Sequence, residues 1–241
     1  MTARIVSIPA RRGHSNHAEI ARSIGIDIIT GRYGEGAKLP GDAELTLAFR
    51  VSRPVLREAV KTLVAKGLLS TKARVGTVVR PRSAWNMFDS DVLAWHLDAG
   101  IDRSFVVAIA EIRQAIEPRA ASLAAQRRTE ADLDAMRAAI EQMRVAAEQQ
   151  TAAFAEADVA LHVAVANAAG NPFIRSIGAM IEAALRASFE FSAPSDEADY
   201  AFTIASHQRI VDAIAARDPA SAADAMTHVI AYGLKRPAPK S

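Results

Sequence analysis

The sequence predicts a mainly α protein: an N-terminal winged helix-turn-helix followed by a C-terminal all-α bundle of six antiparallel helices. Three observations predict it. Residues 39–80 carry a short helix, a turn, a second helix and a glycine-containing hairpin pattern. On the second helix Arg53, Arg57 and Lys61 recur at four-residue spacing, which lines three cations along one stripe. From Asp102 onward there is no strand alternation, only helical periodicity broken at regular intervals.

Element by element, residues 1–16 read as a flexible basic tail. A helix over 17–31 follows, with Ile20, Ile24, Ile28 and Ile29 at helical spacing and Gly31 as its stop. Asp42 is the expected N-cap of a helix over 43–50. Ser52 is the expected N-cap of a helix over 53–66, with Pro54 in its first turn and Gly67 as its C-cap. Val55, Leu56, Ala59, Val60, Leu63 and Val64 form the face of that helix that must be buried, opposite the cations. A recognition helix needs this split: one face holds it rigid while the other meets base edges. Leu68 to Arg80 alternates weakly, with Gly76 able to supply the hairpin turn. The winged helix-turn-helix domain is thus 17–80.

Residues 81–101 read as a connector, helical in its second half. It contains both tryptophans, Trp85 and Trp95, expected at a packing seam between domains or subunits. The bundle spans 102–234, with helices near 103–126, 129–149, 151–169, 173–191, 198–217 and 219–234. Thr129 is the expected N-cap of the second, and Pro118 should kink the first. Residues 235–241 form a frayed tail.

Charge is distributed to match. Residues 1–82 hold fifteen Lys and Arg against six Asp and Glu, whereas residues 83–241 hold fourteen against twenty-one. A basic first third joined to an acidic remainder assigns contact with a polyanion, double-stranded DNA, to the first part alone. Arg53 and Arg57 are the candidates for base contact, because arginine reads guanine with two hydrogen bonds. Ser52 and Lys61 belong to the same surface, and Gly76 and Thr77 place the wing on phosphate or in the minor groove. The chain has no cysteine, which excludes disulfides and thiolate metal sites. No apolar run reaches the length of a membrane span, and the N-terminus lacks a signal peptide's apolar core. A cytoplasmic protein without membrane contact is expected.

The second part carries a different signal. Asp158 and His162 are four residues apart on one apolar helix face, and His207 and His228 lie in apolar stretches of two later helices. One carboxylate and three imidazoles suit zinc, nickel, cobalt, iron or manganese, with zinc or nickel favoured on intrinsic affinity. The same residues also fit unconnected core or surface histidines. The pattern alone leaves open a metal-dependent hydrolase or oxygenase, or a sensor of the ion itself. No further carboxylate is evident near the ligands to serve as a general base, and no Glu-x-x-His pair exists for a diiron bundle.

These two parts together resemble the GntR family of bacterial transcription regulators, in the FadR-type branch with an FCD effector domain. The N-terminal signature is matched from Leu39 through Val79, including Val51-Ser52-Arg53, Leu56-Arg57-Glu58-Ala59 and Gly67-Leu68-Leu69. The FCD pattern Asp-x3-His, His, His maps onto Asp158, His162, His207 and His228. Glu111-Ile112-Arg113-Gln114-Ala115-Ile116-Glu117-Pro118 resembles the start of the family's effector domain, and Asn171-Pro172 fits one of its loops. The connector, Arg80 to Trp95, is similar to that of sugar-acid-responsive members. Two departures stand out. Ala43 replaces an arginine that contacts DNA in many members, and Gly41-Asp42 replaces the common Ser-Glu. The resemblance implies a homodimeric regulator, a repressor, on a near-palindromic operator. It implies a small organic acid, a sugar acid, as effector, held between the metal and Arg113. The resemblance thus favours a regulator over an enzyme.

Overall fold

The computed structural model describes residues 16–100, 103–149, 153–178, 180–182, 185–186, 189 and 194–235. The chain divides into two compact units, Met1–Gly100 and Ile101–Ser241.

The first unit begins with α1 (His17–Ile29), capped by Asn16, whose side chain accepts the Glu19 N–H. The helices α2 (Asp42–Phe49) and α3 (Arg53–Ala65) follow, then the antiparallel strands β1 (Leu69–Lys72) and β2 (Gly76–Val79), paired Leu69 to Val79 and Lys72 to Gly76. Lys38 bridges to Val78, so the segment before α2 adds a third edge to this wing. Ile20, Ile24, Leu45, Leu56, Leu63 and Leu68 meet in one core. Burial of these aliphatic side chains is what fixes α3 against α1.

Two cap expectations change in detail. Gly41, not Asp42, is the N-cap of α2, and Asp42 is its first helical residue, so no side chain closes that end. Ser52 does occupy the N-cap of α3, but its hydroxyl makes no capping bond. The carbonyl of Ser52 accepts the Leu56 N–H instead.

Residues 81–100 fold into the first unit. A short 3-10 turn (Arg82–Ala84) leads to α4 (Ser90–Asp98). Gly67 permits this return: it adopts φ +82°, and a Cβ there would lie 2.3 Å from the Ala84 carbonyl oxygen. Lys66 Nζ then holds Asp89 Oδ1 at 2.6 Å and Asp91 Oδ2 at 2.7 Å. The expectation that Trp85 and Trp95 form a seam is corrected: both are buried in the core of this unit. The Trp95 ring packs against Gly25 of α1, where any Cβ would meet it at 2.3 Å.

The second unit contains α5 (Arg103–Arg127), α6 (Glu130–Gln149), α7 (Ala153–Ala168), α8 (Pro172–Ser176), α9 (Glu197–Ala215) and α10 (Pro219–Lys235). Here α5 packs along α10, α6 along α7, and α9 along α10. Small residues on α5 (Ala120, Ala121, Ala124, Ala125) are buried, and Met136, Met143, Phe154, Leu161, Ile210 and Ile214 fill the centre. Thr129 caps α6 as expected, exchanging hydrogen bonds with Asp132 in a capping box. Pro118 sits within an uninterrupted α5. The helix expected over 173–191 is instead broken: α8 ends after one turn at Ile177, and helical backbone resumes at 178. The tails expected at 1–16 and 235–241 lie outside the described residues, except for Asn16 and Lys235.

Candidate functional site

In the first unit the exposed face of α3 carries Arg53, Arg57 and Lys61. Lys61 is paired with Glu58 at 2.7 Å, whereas Arg53 and Arg57 have no ion pair among the described residues. Ser52 is exposed at the head of the helix, and its uncommitted hydroxyl is available to a phosphate oxygen. Gly76 opens β2 and is exposed, while Thr77 is half-buried. Arg57, Lys61, Thr71 and Thr77 border one cleft between α3 and the wing, of about 270 Å³. The structure thus brings the six sequence-chosen residues onto one helix and its neighbouring wing. Such a surface offers cations and hydroxyls without compensating acids, apart from Asp42 at the cleft edge and Glu58.

The second unit hides its polar groups. Asp158 and His162 project from α7 and His207 from α9, all at most 5% exposed. One ligand atom from each lies within 4.8 Å of the others. His207 Nδ1 is 2.7 Å from the Thr203 carbonyl oxygen, and His162 Nδ1 is 2.5 Å from Glu117 Oε2. Both partners are acceptors, so each ring carries a proton on Nδ1 and presents Nε2 inward. Both Nε2 atoms are buried without a hydrogen-bond partner. His207 Nε2 approaches Asp158 Oδ1 to 2.8 Å, but outside hydrogen-bonding alignment. Two orphaned, inward-facing imidazole nitrogens beside a carboxylate are the donor set a divalent transition metal takes, with the outer nitrogens oriented as metal-binding histidines require. Burial pushes the Asp158 carboxyl up, but His207, then His162 and Arg113, outweigh it and hold Asp158 below the usual carboxylate range. Asp158 is therefore an anionic donor.

His228 does not join them, which corrects the four-ligand expectation. It is exposed on α10, with its ring 6.2 Å from that of Phe202. Val229, Ile230, Tyr232, Gly233 and Leu234 are the α10 residues that line the cavity beside the three ligands. Tyr232, one turn beyond His228, does border the cavity, but His228 itself is in neither its lining nor the ligand cluster among the described residues.

Arg113 does reach the site. It is 6% exposed and borders the same cavity, of about 60 Å³, with Asp158, His162 and His207. Its Nε donates to Glu117 Oε1 at 2.5 Å and its Nη2 to Glu117 Oε2 at 3.4 Å. Glu117 is the residue that sequence reasoning missed. It is buried and serves Arg113 and His162 at once. Burial raises its carboxyl, but Arg113 and His162 outweigh this and hold it down at about 2. A carboxylate so committed orients its neighbours and is a poor base. The available signal was its i,i+4 spacing from Arg113 on an apolar helix face.

Residues 108–232 match the FCD domain, and residues 16–79 match the bacterial regulatory proteins of the gntR family. The chain belongs to the gntR family. It is 36% identical to the galactonate operon transcriptional repressor of Escherichia coli (strain K12), over 90% of this chain and 94% of that protein. It is 30% identical to the HTH-type transcriptional repressor NanR of Citrobacter rodentium (strain ICC168), over 82% of this chain and 76% of that one. Among solved structures, one titled "Lar controls the expression of the Listeria monocytogenes agr system and mediates virulence" matches with TM-score 0.60. Its identity is 18%, over 90% of this chain and 94% of the other, a likeness of fold. A gntR-family chain of this kind is a DNA-binding transcriptional regulator and not an enzyme. Among the described residues no helix is long and apolar enough to cross a membrane.

Proposed function

We propose that this gntR-family regulator is a cytoplasmic, homodimeric repressor released from its operator by a small carboxylate bound beside a divalent metal in the FCD unit. The observation that carries the reading is the pair of buried, unpartnered Nε2 atoms of His162 and His207, facing Asp158 in a cavity that Arg113 also borders. In this reading Asp158, His162 and His207 hold the ion, zinc or nickel on intrinsic affinity. When bound, the ion supplies a Lewis acid for a carboxylate and a neighbouring hydroxyl. Arg113 supplies the second anchor, a planar fork that matches a carboxylate. Glu117 holds that fork in place and fixes the tautomer of His162. Likeness to the galactonate operon repressor supports a sugar acid as the class of effector.

In the DNA-binding unit, two copies place two α3 helices about one DNA turn apart on a near-palindromic site. Arg53 and Arg57 read base edges, and Ser52, Lys61, Gly76 and Thr77 hold the backbone. The experiment is a titration of operator binding with sugar acids, before and after chelation of the metal, with elemental analysis of the purified protein. Effector-dependent release in the metal-loaded protein, lost on chelation, is the expected result, with a change in operator affinity of about 5–150-fold. A purified protein without retained metal, or release undiminished by chelation, overturns direct coordination. A metal that alone shifts operator affinity, with no response to any acid, would instead make the ion the signal.

A further inference from the structure

Left-handed backbone is unfavourable for any residue with a side chain, and glycine or asparagine is the usual occupant. Among the described residues three non-glycine positions adopt it, and all three are arginines: Arg50 at φ 54°, Arg74 at φ 64° and Arg217 at φ 56°. Arg217 has a local reason. Its guanidinium donates to the carbonyl oxygens of Gln126 at 3.3 Å and Arg128 at 3.4 Å, which tie down the end of α5.

Arg50 and Arg74 have no such reason. Both are exposed, and neither side chain makes a hydrogen bond or ion pair among the described residues. Arg50 closes α2 in the αL conformation and stands three residues before Arg53, the first residue of α3. Arg74 is the third residue of the turn Lys72–Val75 at the tip of the wing, closed by the Val75 N–H on the Lys72 carbonyl at 3.2 Å. Positive φ at that position of a turn calls for glycine. Two free cations thus flank α3 in sequence, one in the turn before it and one on the wing after it. Each occupies a backbone conformation that a smaller residue would hold at lower cost. Strained positions of this kind persist where the side chain has a task.

We propose that Arg50 and Arg74 are phosphate contacts that extend the DNA-binding surface beyond α3, and that each is retained at the expense of fold stability. The inference rests on the reading of α3 and the wing as the DNA-facing surface. A long cation with no partner in its own chain serves a polyanion, and each phosphate it neutralises releases a counterion.

Four full-length proteins test this: wild type, Arg50→Gly, Arg74→Gly and Arg217→Gly. Each is measured for thermal midpoint and for affinity to a mixed-sequence DNA duplex across a salt series. Arg50→Gly and Arg74→Gly are expected to raise the midpoint, and each to lower the slope of log affinity against log salt by about 0.9 per copy, about 1.8 for the bound homodimer. Arg217→Gly, which loses two hydrogen bonds, is expected to lower the midpoint and leave the slope unchanged. A wild-type slope in either of the first two variants removes that residue from the interface. A lowered midpoint in either shows that its side chain supports the fold and overturns the trade. A wild-type protein with no salt-dependent affinity for the duplex refutes the DNA-facing surface itself, whatever the midpoints do.

Discussion

Arg57 and Arg113 show how differently the two units use the same side chain. Arg57 stands in solvent on α3, without an ion pair among the described residues. Arg113 is buried on α5 with its guanidinium held by Glu117, which also holds His162, whose ring meets that of His207 edge-on at 5.5 Å. Arg53 and Arg57 share no ion-pair partner among the described residues, so replacing either strips no neighbour of a contact. The buried groups form one network, in which removal of a member leaves its neighbours buried and uncompensated. Effects should therefore be local and additive in the first unit and coupled in the second.

Asp158→Ala should produce the largest change. It removes the anion beside two histidines and Arg113, and is expected to cost about 3–5 kcal/mol of stability. Metal retention through gel filtration should be lost with it. Denaturant unfolding and elemental analysis measure both, and a stable, metal-loaded variant would break the view of a coupled buried site. Arg57→Ala should show the opposite pattern. Operator affinity is expected to fall by about 1–3 kcal/mol, read in a gel shift, with the thermal midpoint unchanged. A lowered midpoint there would mean that the exposed face also supports the fold.

Glu117→Gln sharpens the comparison within the network. The amide can still accept one hydrogen bond but cannot serve Arg113 and His162 together. Metal affinity should drop about 10–100-fold in competition with a chromophoric chelator. An unaltered affinity would show that Glu117 supports packing alone.

Acid should destabilise the second unit of the metal-free protein. Glu117 is held at about 2, against an ordinary 4.5, and Asp158 is also held below its usual range. A depressed carboxylate binds fewer protons folded than unfolded, so its stabilisation is present above the ordinary value and is lost as pH falls from about 4.5 toward about 2. Both tryptophans of the chain lie in the first unit. Circular dichroism should fall as pH drops from about 4.5 toward about 2, whereas tryptophan fluorescence reads the first unit, where burial lowers His96 and acid acts from a higher pH; an unchanged helical signal down to about 2 would refute the linkage. The smallest effect is expected from His228→Ala: metal content and affinity unchanged, because the ring lies at the surface beside Phe202.

Much of the molecule was legible because local rules suffice for it. The stripe Arg53, Arg57, Lys61 opposite Leu56, Ala59 and Leu63 follows from a 3.6-residue period alone. The breaks at Thr129, Asn171-Pro172 and Asp218-Pro219 follow from capping residue types, whose side chains cap the next helix. Asp158 and His162 share a face by the same helical period. His228 was misread because its neighbours are apolar on both sides, so the sequence does not reveal which face of α10 turns inward. Glu117 escaped notice as a site residue because its second partner, His162, comes from another helix 45 residues away. Trp85 and Trp95 looked like a seam because aromatics in a connector fit either a seam or a core, and only their packing beside α1 decides.

By itself the sequence determined the order of helices and wing, the exposed cationic face of α3, and residue types able to ligate a metal at Asp158, His162, His207 and His228. These depend on spacing along one chain segment, which backbone geometry converts directly into faces. Only the tertiary structure decided that three of the four proposed ligands converge, that Glu117 ties Arg113 to His162, and that residues 81–100 belong to the first unit. Convergence of side chains from different helices depends on how each helix is rotated about its axis. That rotation is set by packing against neighbours distant in sequence, which no local period records.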